Sequence, residues 1–443
     1  MVNFNNDFLL PEYHYMHKFR ICFSSLWVMI FLLLPLEQST YCSKNVLLST
    51  ETASFNKLII NKLIEDQNAV FIDACMEKFR IKNGLKGVAV AIVKDEKLVF
   101  VKGYGFANEE TAVPVNPNNL FRIASVSKLV TAVAIMKLAE NAKISLDSKV
   151  FGKYGILNDN QFLNIKDKRL ERITVRHLLN HSGGWTQHYG DLAFLPKTVS
   201  RAVGDPLPVK IDSYIKFVTT HRLHFEPGSR SVYSNLGYII LGKVIEKVAG
   251  TDYESFVKNE VLKPAGITDM HIGHSFFEEA LPEEVKYYQP EDGQPIESYD
   301  GSGRIVPKIY GANDIYLLGS AGGWLASAVD LMKLVVVIDN DPVAKDILCS
   351  ASILEMTRVD HDGMDPIGWR GTNESGEWWR TGTLPGSSAL VKRQPNGFSW
   401  VILSNTSNYK GPRLALEMNR IMSHILVNID HWPDYNLFSF LTN

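Results

Sequence analysis

Ser125 and Lys128 are the residues of this chain whose types and spacing speak most directly of chemistry. They bracket the run Ser125-Val126-Ser127-Lys128, where an extended stretch gives way to an apolar helical pattern from Leu129 to Ala139. On a helix, residues three apart share a face, with β-carbons about 5–6 Å apart. A serine at a helix N-terminus also lies among free backbone N–H groups that favour developing negative charge. Nucleophile, base and half of an oxyanion site can therefore share one short segment.

Two later segments offer complementary groups. Tyr233-Ser234-Asn235 precedes an apolar helical pattern, Leu236 to Ala249, and follows the turn sequence Glu226-Pro227-Gly228. A tyrosine beside a lysine ammonium has its phenol acidified by the positive charge and can exchange a proton with a serine. Arg380-Thr381-Gly382-Thr383 opens a strand near the chain's end. The glycine admits close approach of backbone, the Thr383 N–H is a second oxyanion donor, and Arg380 with Thr381 could hold a substrate carboxylate.

The elements that must position these groups follow from periodicity. A helix is expected from Val70 to Lys82. Val88–Val93 and Leu98–Val101 form a hairpin about the turn Lys94 to Lys97. Further helices are expected at Ser213–Thr220, Leu236–Ala249, Tyr253–Leu262 and Pro412–Val427, and one starting at Ala328 with Ser327 as its cap. Residues 280–313 read as a long loop at the lip of a cleft. Ser387–Lys392 and Phe398–Ser404 flank a Pro-Asn-Gly turn. Strands at both ends with helices between predict one antiparallel sheet made from the two halves of the chain, and a helical lobe over roughly residues 127–315.

Taken together, Ser125-x-x-Lys128, Tyr233-x-Asn235 and Arg380-Thr381-Gly382 resemble the three motifs of the serine β-lactamase and penicillin-binding protein superfamily, and most of all its class C-like branch. Phe121-Arg122-Ile123-Ala124 before Ser125, the run Ile173 to Gly184, and Gly322-Gly323 before Leu325 agree with it, over residues 75 to 428. The resemblance implies an α/β (α+β) fold of β-lactamase/transpeptidase type. It also implies a hydrolase acting through an acyl-enzyme on Ser125, with Lys128 and Tyr233 handling the proton. Asn235 would then bond the substrate's amide region, with Ser125 and Thr383 supplying the oxyanion N–H groups. The expected substrate is a small ester or peptide. One departure stands out: the third motif opens with Arg380 where the family has Lys or His, and a guanidinium does not shuttle protons. A member that keeps the fold for binding or self-assembly is the alternative reading, and self-association is compatible with both.

Composition narrows the setting. A formal charge of −2 over 443 residues gives no case for nucleic acid. No cofactor or metal is implied, since neither a C-x-x-C cluster nor a phosphate-binding loop is present, and His177 with His181 lacks a third ligand. Lys18 and Arg20 precede an uncharged run from Ile21 to Leu36, so residues 1–42 read as a signal peptide or a retained signal-anchor. Both place the catalytic part outside the cytosol; a mitochondrial address fits less well with Asp7 and Glu12 in the leader. The membrane is a partner only if the leader stays. Residues 43–70 form a linker, 71–430 the hydrolase domain and 431–443 a tail. Cys75 and Cys349 are either a disulfide pair or two free thiols. Asn373, Asn405 and, in a segment that looks buried, Asn180 head glycosylation triplets.

Overall fold

Alternation of β-branched and small residues builds the centre of the fold. Gly87–Lys94 and Lys97–Asn108 form the expected hairpin, with Lys94 paired to Lys97. The two turn residues, Asp95 and Glu96, both take left-handed backbone (φ 48° and 59°), the conformation that matches the twist of adjoining strands. In the computed structural model, which describes residues 61, 67–188, 190–359 and 363–441, this hairpin joins a seven-stranded sheet. The order across it is Val113–Pro114, Lys97–Asn108, Gly87–Lys94, Phe398–Ser404, Ser387–Arg393, Trp378–Leu384, Gly371–Thr372. Every pairing is antiparallel. The leader at 1–42 and nearly all of the lead-in at 43–66 lie outside the described residues.

The central strands Gly87–Lys94 and Phe398–Ser404 are buried at almost every position, so both faces of the sheet are covered. The terminal helices Gln67–Lys82 and Leu414–Val427 pack on each other and on the sheet, and Ala328–Val336 packs on its middle strands. Ser327 caps that last helix, accepting from the Asp330 N–H. The helix Ser127–Glu140 is apolar on nearly all sides and correspondingly buried among Asn235–Ala249, Tyr253–Val257 and the wide turn Gly319–Gly323.

Several expectations shift in detail. The helix expected over Tyr253–Leu262 is α-helical to Val257 and loosens into a π turn from Lys258. Val175–Leu179, Pro196–Val203 and Ser350–Thr357 are helices beyond those expected; Pro196–Val203 is amphipathic but spans only eight residues. The 280–313 loop carries only a two-residue ladder, Ile296–Glu297 against Ile305–Val306. Cys75 and Cys349 are both free thiols, and Cys349 is exposed. No helix among the described residues is long and apolar enough to cross a membrane.

Asn405 ties the sheet together. Its Oδ1 accepts from the Gly87 N–H (2.8 Å), and its Nδ2 donates to the carbonyls of Phe106 (3.0 Å) and Lys286 (2.9 Å). The residue has no exposed surface, and the nitrogen that would carry a sugar is fully engaged in the interior. Asn180 is likewise buried, so of the three acceptor triplets only Asn373 is partly open to solvent. Asn405→Ala strands one N–H and two carbonyls inside the sheet. It is expected to destabilise the fold by about 2–4 kcal/mol, read as a lowered denaturation midpoint at unchanged m-value.

Candidate active site

The nucleophile turn is under constraint from three sides. Ser125 lies in the 3₁₀ turn Ala124–Val126, one step before the helix at Ser127 rather than within it. Within residues 121–130 it alone is not fully buried. Ala124 holds φ +48°, a left-handed conformation that costs a non-glycine residue about 1–3 kcal/mol. Neighbours enforce it. The Ile123 N–H donates to the Trp324 carbonyl (3.0 Å), and the Ser387 hydroxyl donates to the Arg122 carbonyl. The strand Trp378–Leu384 presses in at Gly382, where a β-carbon would fall 2.2 Å from the Ile123 carbonyl oxygen and 3.1 Å from the Ser125 nitrogen.

Lys128 stands one helical turn on and is wholly buried. Its Nζ donates to Asn235 Oδ1 (2.6 Å) and to the Ala321 carbonyl (2.5 Å), and faces Ser125 Oγ at 3.3 Å. The Tyr233 hydroxyl donates to the same Oγ at 2.6 Å. Serine, lysine and tyrosine therefore converge from segments 108 residues apart. Burial, helped by the Arg380 guanidinium, pulls the Lys128 ammonium down to about 8, while Tyr233 and Asp191 hold it up. Burial would raise the Tyr233 phenol, but the charges of Lys128 and Arg380 outweigh it and leave the phenol below its usual value. Both groups thus hold their protons less tightly than usual, and they stand within hydrogen-bond reach of the same serine oxygen.

Arg380 differs from expectation. Its guanidinium is 1% exposed, and its N–H groups donate to the Ser125 carbonyl (2.8 Å), the Trp369 carbonyl (3.2 Å) and the Tyr233 oxygen (3.2 Å). It faces the phenol and the nucleophile's own backbone. It is not offered to a substrate carboxylate, because strand alternation turns positions 380 and 382 inward and 381 and 383 outward. Thr381 and Thr383 are half-buried beside the cleft. The Trp379 carbonyl accepts from the Arg370 N–H, so backbone groups two and four residues on face that same outer edge. The neighbouring strand Gly371–Thr372 pairs only with Trp378 and Trp379, leaving the edge uncovered at Thr383.

Asn235 is the first residue of its helix, capped by Ser234, whose Oγ accepts from the Gly237 N–H (3.1 Å). Its oxygen faces Lys128, and its nitrogen donates to Asp191 Oδ2 (2.6 Å). His181 sits behind Tyr233 with ring centroids 4.6 Å apart, and its Nδ1 accepts from the Ser234 N–H (3.2 Å). Burial holds it neutral, well below the ordinary imidazole value. His177 instead closes a capping box with Thr174, so the two histidines serve different segments. Trp378 packs against Trp369 in the interior. Beside Tyr233 opens a cavity of about 350 Å³, walled by Trp185, Leu192, Leu195, Phe217 and Leu236, with Asp191, Arg222, His221, His224, Thr186 and Gln187 among its polar groups.

The eight residues singled out from the sequence thus gather at one place. Asp191, the Ala321 carbonyl and His181 join them without having been marked as site groups. Asp191 lies in an aperiodic loop 44 residues from Asn235, and a backbone carbonyl leaves no trace in residue types. His181 carried a signal only in its helix-terminal position, where the backbone turns to φ +62°.

Comparison with known proteins places the fold. The Beta-lactamase family model matches residues 71–420. Protein flp of Staphylococcus aureus (strain COL) is 24% identical over 365 residues, covering 80% of this chain; the match spans 66% of that relative's length, just under two thirds. The octameric penicillin-binding protein homologue from Pyrococcus abyssi superposes with a TM-score of 0.59 at 27% identity, covering 80% of this chain and 77% of the homologue. The D-amino acid amidase from Ochrobactrum anthropi SV3 shares the fold at a TM-score of 0.62 and 19% identity, over 82% and 98% of the two chains.

Gly382 gives a direct test of the constraint on the nucleophile turn. Gly382→Ala forces the strand and the turn apart and is expected to cost about 1–3 kcal/mol. Thermal unfolding should register the loss, and the side chain of Ser125 should become less reactive toward acylating probes in the protein that remains folded.

Proposed function

We propose, for a chain that belongs to the Beta-lactamase family, that it is a serine hydrolase working through an ester on Ser125. The observation that carries this reading is the convergence of Tyr233 (2.6 Å) and Lys128 (3.3 Å) on Ser125 Oγ, with the proton affinity of both groups lowered.

The Ser125 proton passes to the Lys128–Tyr233 pair as Oγ attacks the substrate carbonyl. The electron pair of the carbonyl collects on its oxygen, with the Ser125 and Thr383 amides as its donors. The pair then returns its proton to the departing alcohol or amine, and the steps repeat with water to free the acid. Arg380 keeps a fixed positive charge on the Tyr233 oxygen throughout, replacing a titratable group with a permanent one. The departure from the family motif is thus accommodated, because the proton route runs through Lys128 and Tyr233. Asn235 and Thr381 border the space where the acyl portion lies.

A small ester or amide suits the cavity beside Tyr233, which is apolar with a few polar groups. The Tyr-x-Asn form of the second motif supports placement in the class C-like branch. The basic flank and apolar run before residue 37 support delivery out of the cytosol, and the mature N-terminus should then fall near residue 43 when sequenced.

A fluorophosphonate probe should label native protein at Ser125, located by mass spectrometry, and Ser125→Ala should abolish the label. Lys128→Met should slow labelling by about 10²–10⁴-fold. Because neutral Lys128 is the form that accepts the proton, the labelling rate should rise as pH passes upward through about 8. Absence of label together with inertness toward short acyl esters would favour the non-catalytic reading.

A further inference from the structure

We infer that Asp191 is a positioning residue that aims the base at Ser125 by fixing which way round the Asn235 amide stands. This rests on the hydrolase reading above and concerns a residue that none of the three motifs contains.

A lysine amine in the wholly buried pocket has three places to put hydrogens or a lone pair; Asn235 Oδ1 and the Ala321 carbonyl occupy two, and Ser125 Oγ with the Tyr233 oxygen beside it occupies the third side. Carbonyl oxygens only accept. Two hydrogens are therefore committed to Asn235 and Ala321 whatever the protonation state. When Lys128 loses its third proton, the lone pair opens on the one remaining side, toward Ser125 Oγ and the Tyr233 oxygen bonded to it. That aim depends on Asn235 showing its oxygen, and an amide can stand either way round. A carboxylate can only accept, so Asp191 Oδ2 at 2.6 Å compels the NH₂ group to its own side and the oxygen to the lysine's.

Asp191 is itself held. Its Oδ1 accepts from the Ala193 N–H (3.1 Å) as the cap of the turn Leu192–Phe194, and its Oδ2 also accepts from Gln187 Nε2 (2.8 Å). Besides Asp191, the charged and titratable groups facing Lys128 are Tyr233, Arg380, His181 and Tyr238. Arg380 is a fixed cation and His181 is neutral, so Tyr233 first and Asp191 after it oppose the pull of Arg380 on the ammonium.

The test compares Asp191→Asn with Asp191→Glu, reading the second-order rate of fluorophosphonate labelling against pH. Asparagine can present either end to Asn235 and frees the amide to flip. Asp191→Asn is expected to lower the plateau by about 10–100-fold. It should also move the rising limb to lower pH, since an anion that favoured the ammonium is gone. Asp191→Glu keeps the limb near its native position and recovers part of the plateau. Equal losses in both variants with an unmoved limb would reduce Asp191 to a loop cap and overturn the inference, as would native rates in Asp191→Asn. Failure of the native protein to label defeats the hydrolase reading instead. The Lys128 titration, followed by NMR of ¹³Cε-labelled lysine, then decides the inference alone: Asp191→Asn must lower it, and an unshifted titration rejects it.

Discussion

A lysine sealed from water is the constraint on which the rest of this site depends. An ammonium in the interior is tolerable only if acceptors meet its hydrogens, and Lys128 receives them from three different segments: the nucleophile turn, the start of the helix Asn235–Ala249 and the turn Gly319–Gly323. Each contact fixes the position of the segment that makes it. The same burial that demands these partners also lowers the lysine's hold on its proton. Structural role and chemical role therefore share one cause. Arg380 adds a second buried cation close by, and the Tyr233 oxygen between the two is drawn toward the anionic form.

The backbone around Ser125 is shaped by glycines rather than by side chains. Gly382 lets the strand Trp378–Leu384 lie against Ile123 and Ser125 where any β-carbon would collide with a carbonyl. Gly323 serves its own turn instead, where a β-carbon would fall 2.3 Å from the Ile315 carbonyl oxygen. Ala124, which Gly382 faces, holds left-handed backbone. A strained residue immediately before a nucleophile projects the side chain outward while its neighbours stay in the core, which explains why Ser125 alone in its run reaches the cleft.

The sequence made the sheet and the three motifs legible because both rest on local patterns. Alternation marked Gly87–Lys94 and Phe398–Ser404, and turn chemistry marked the reversals between strands. Residue type and spacing marked Ser125, Lys128, Tyr233 and Asn235. Where the outcome depended on contacts between distant segments, residue types alone were insufficient. Arg380 looked available to a carboxylate, yet the parity of its strand position sends it inward onto Tyr233. Asp191 gave no sign at all, because its partner is brought to it only by the packing of a loop on a helix. Short helices such as Val175–Leu179 and Ser350–Thr357 escaped notice because fewer than three turns carry too little periodicity, and their stability comes from what they pack against.

The two central strands of the sheet are partners although Val88 and Ser404 lie more than three hundred positions apart. Such pairing makes for a slow fold with a high demand on loop closure. It also means that a nascent chain carries its serine and lysine long before the strand that completes their surroundings has been made. The surroundings of Ser125 are therefore complete only once the last strands have closed the sheet, and a prematurely terminated polypeptide would carry the serine and the lysine without the strand that packs against them.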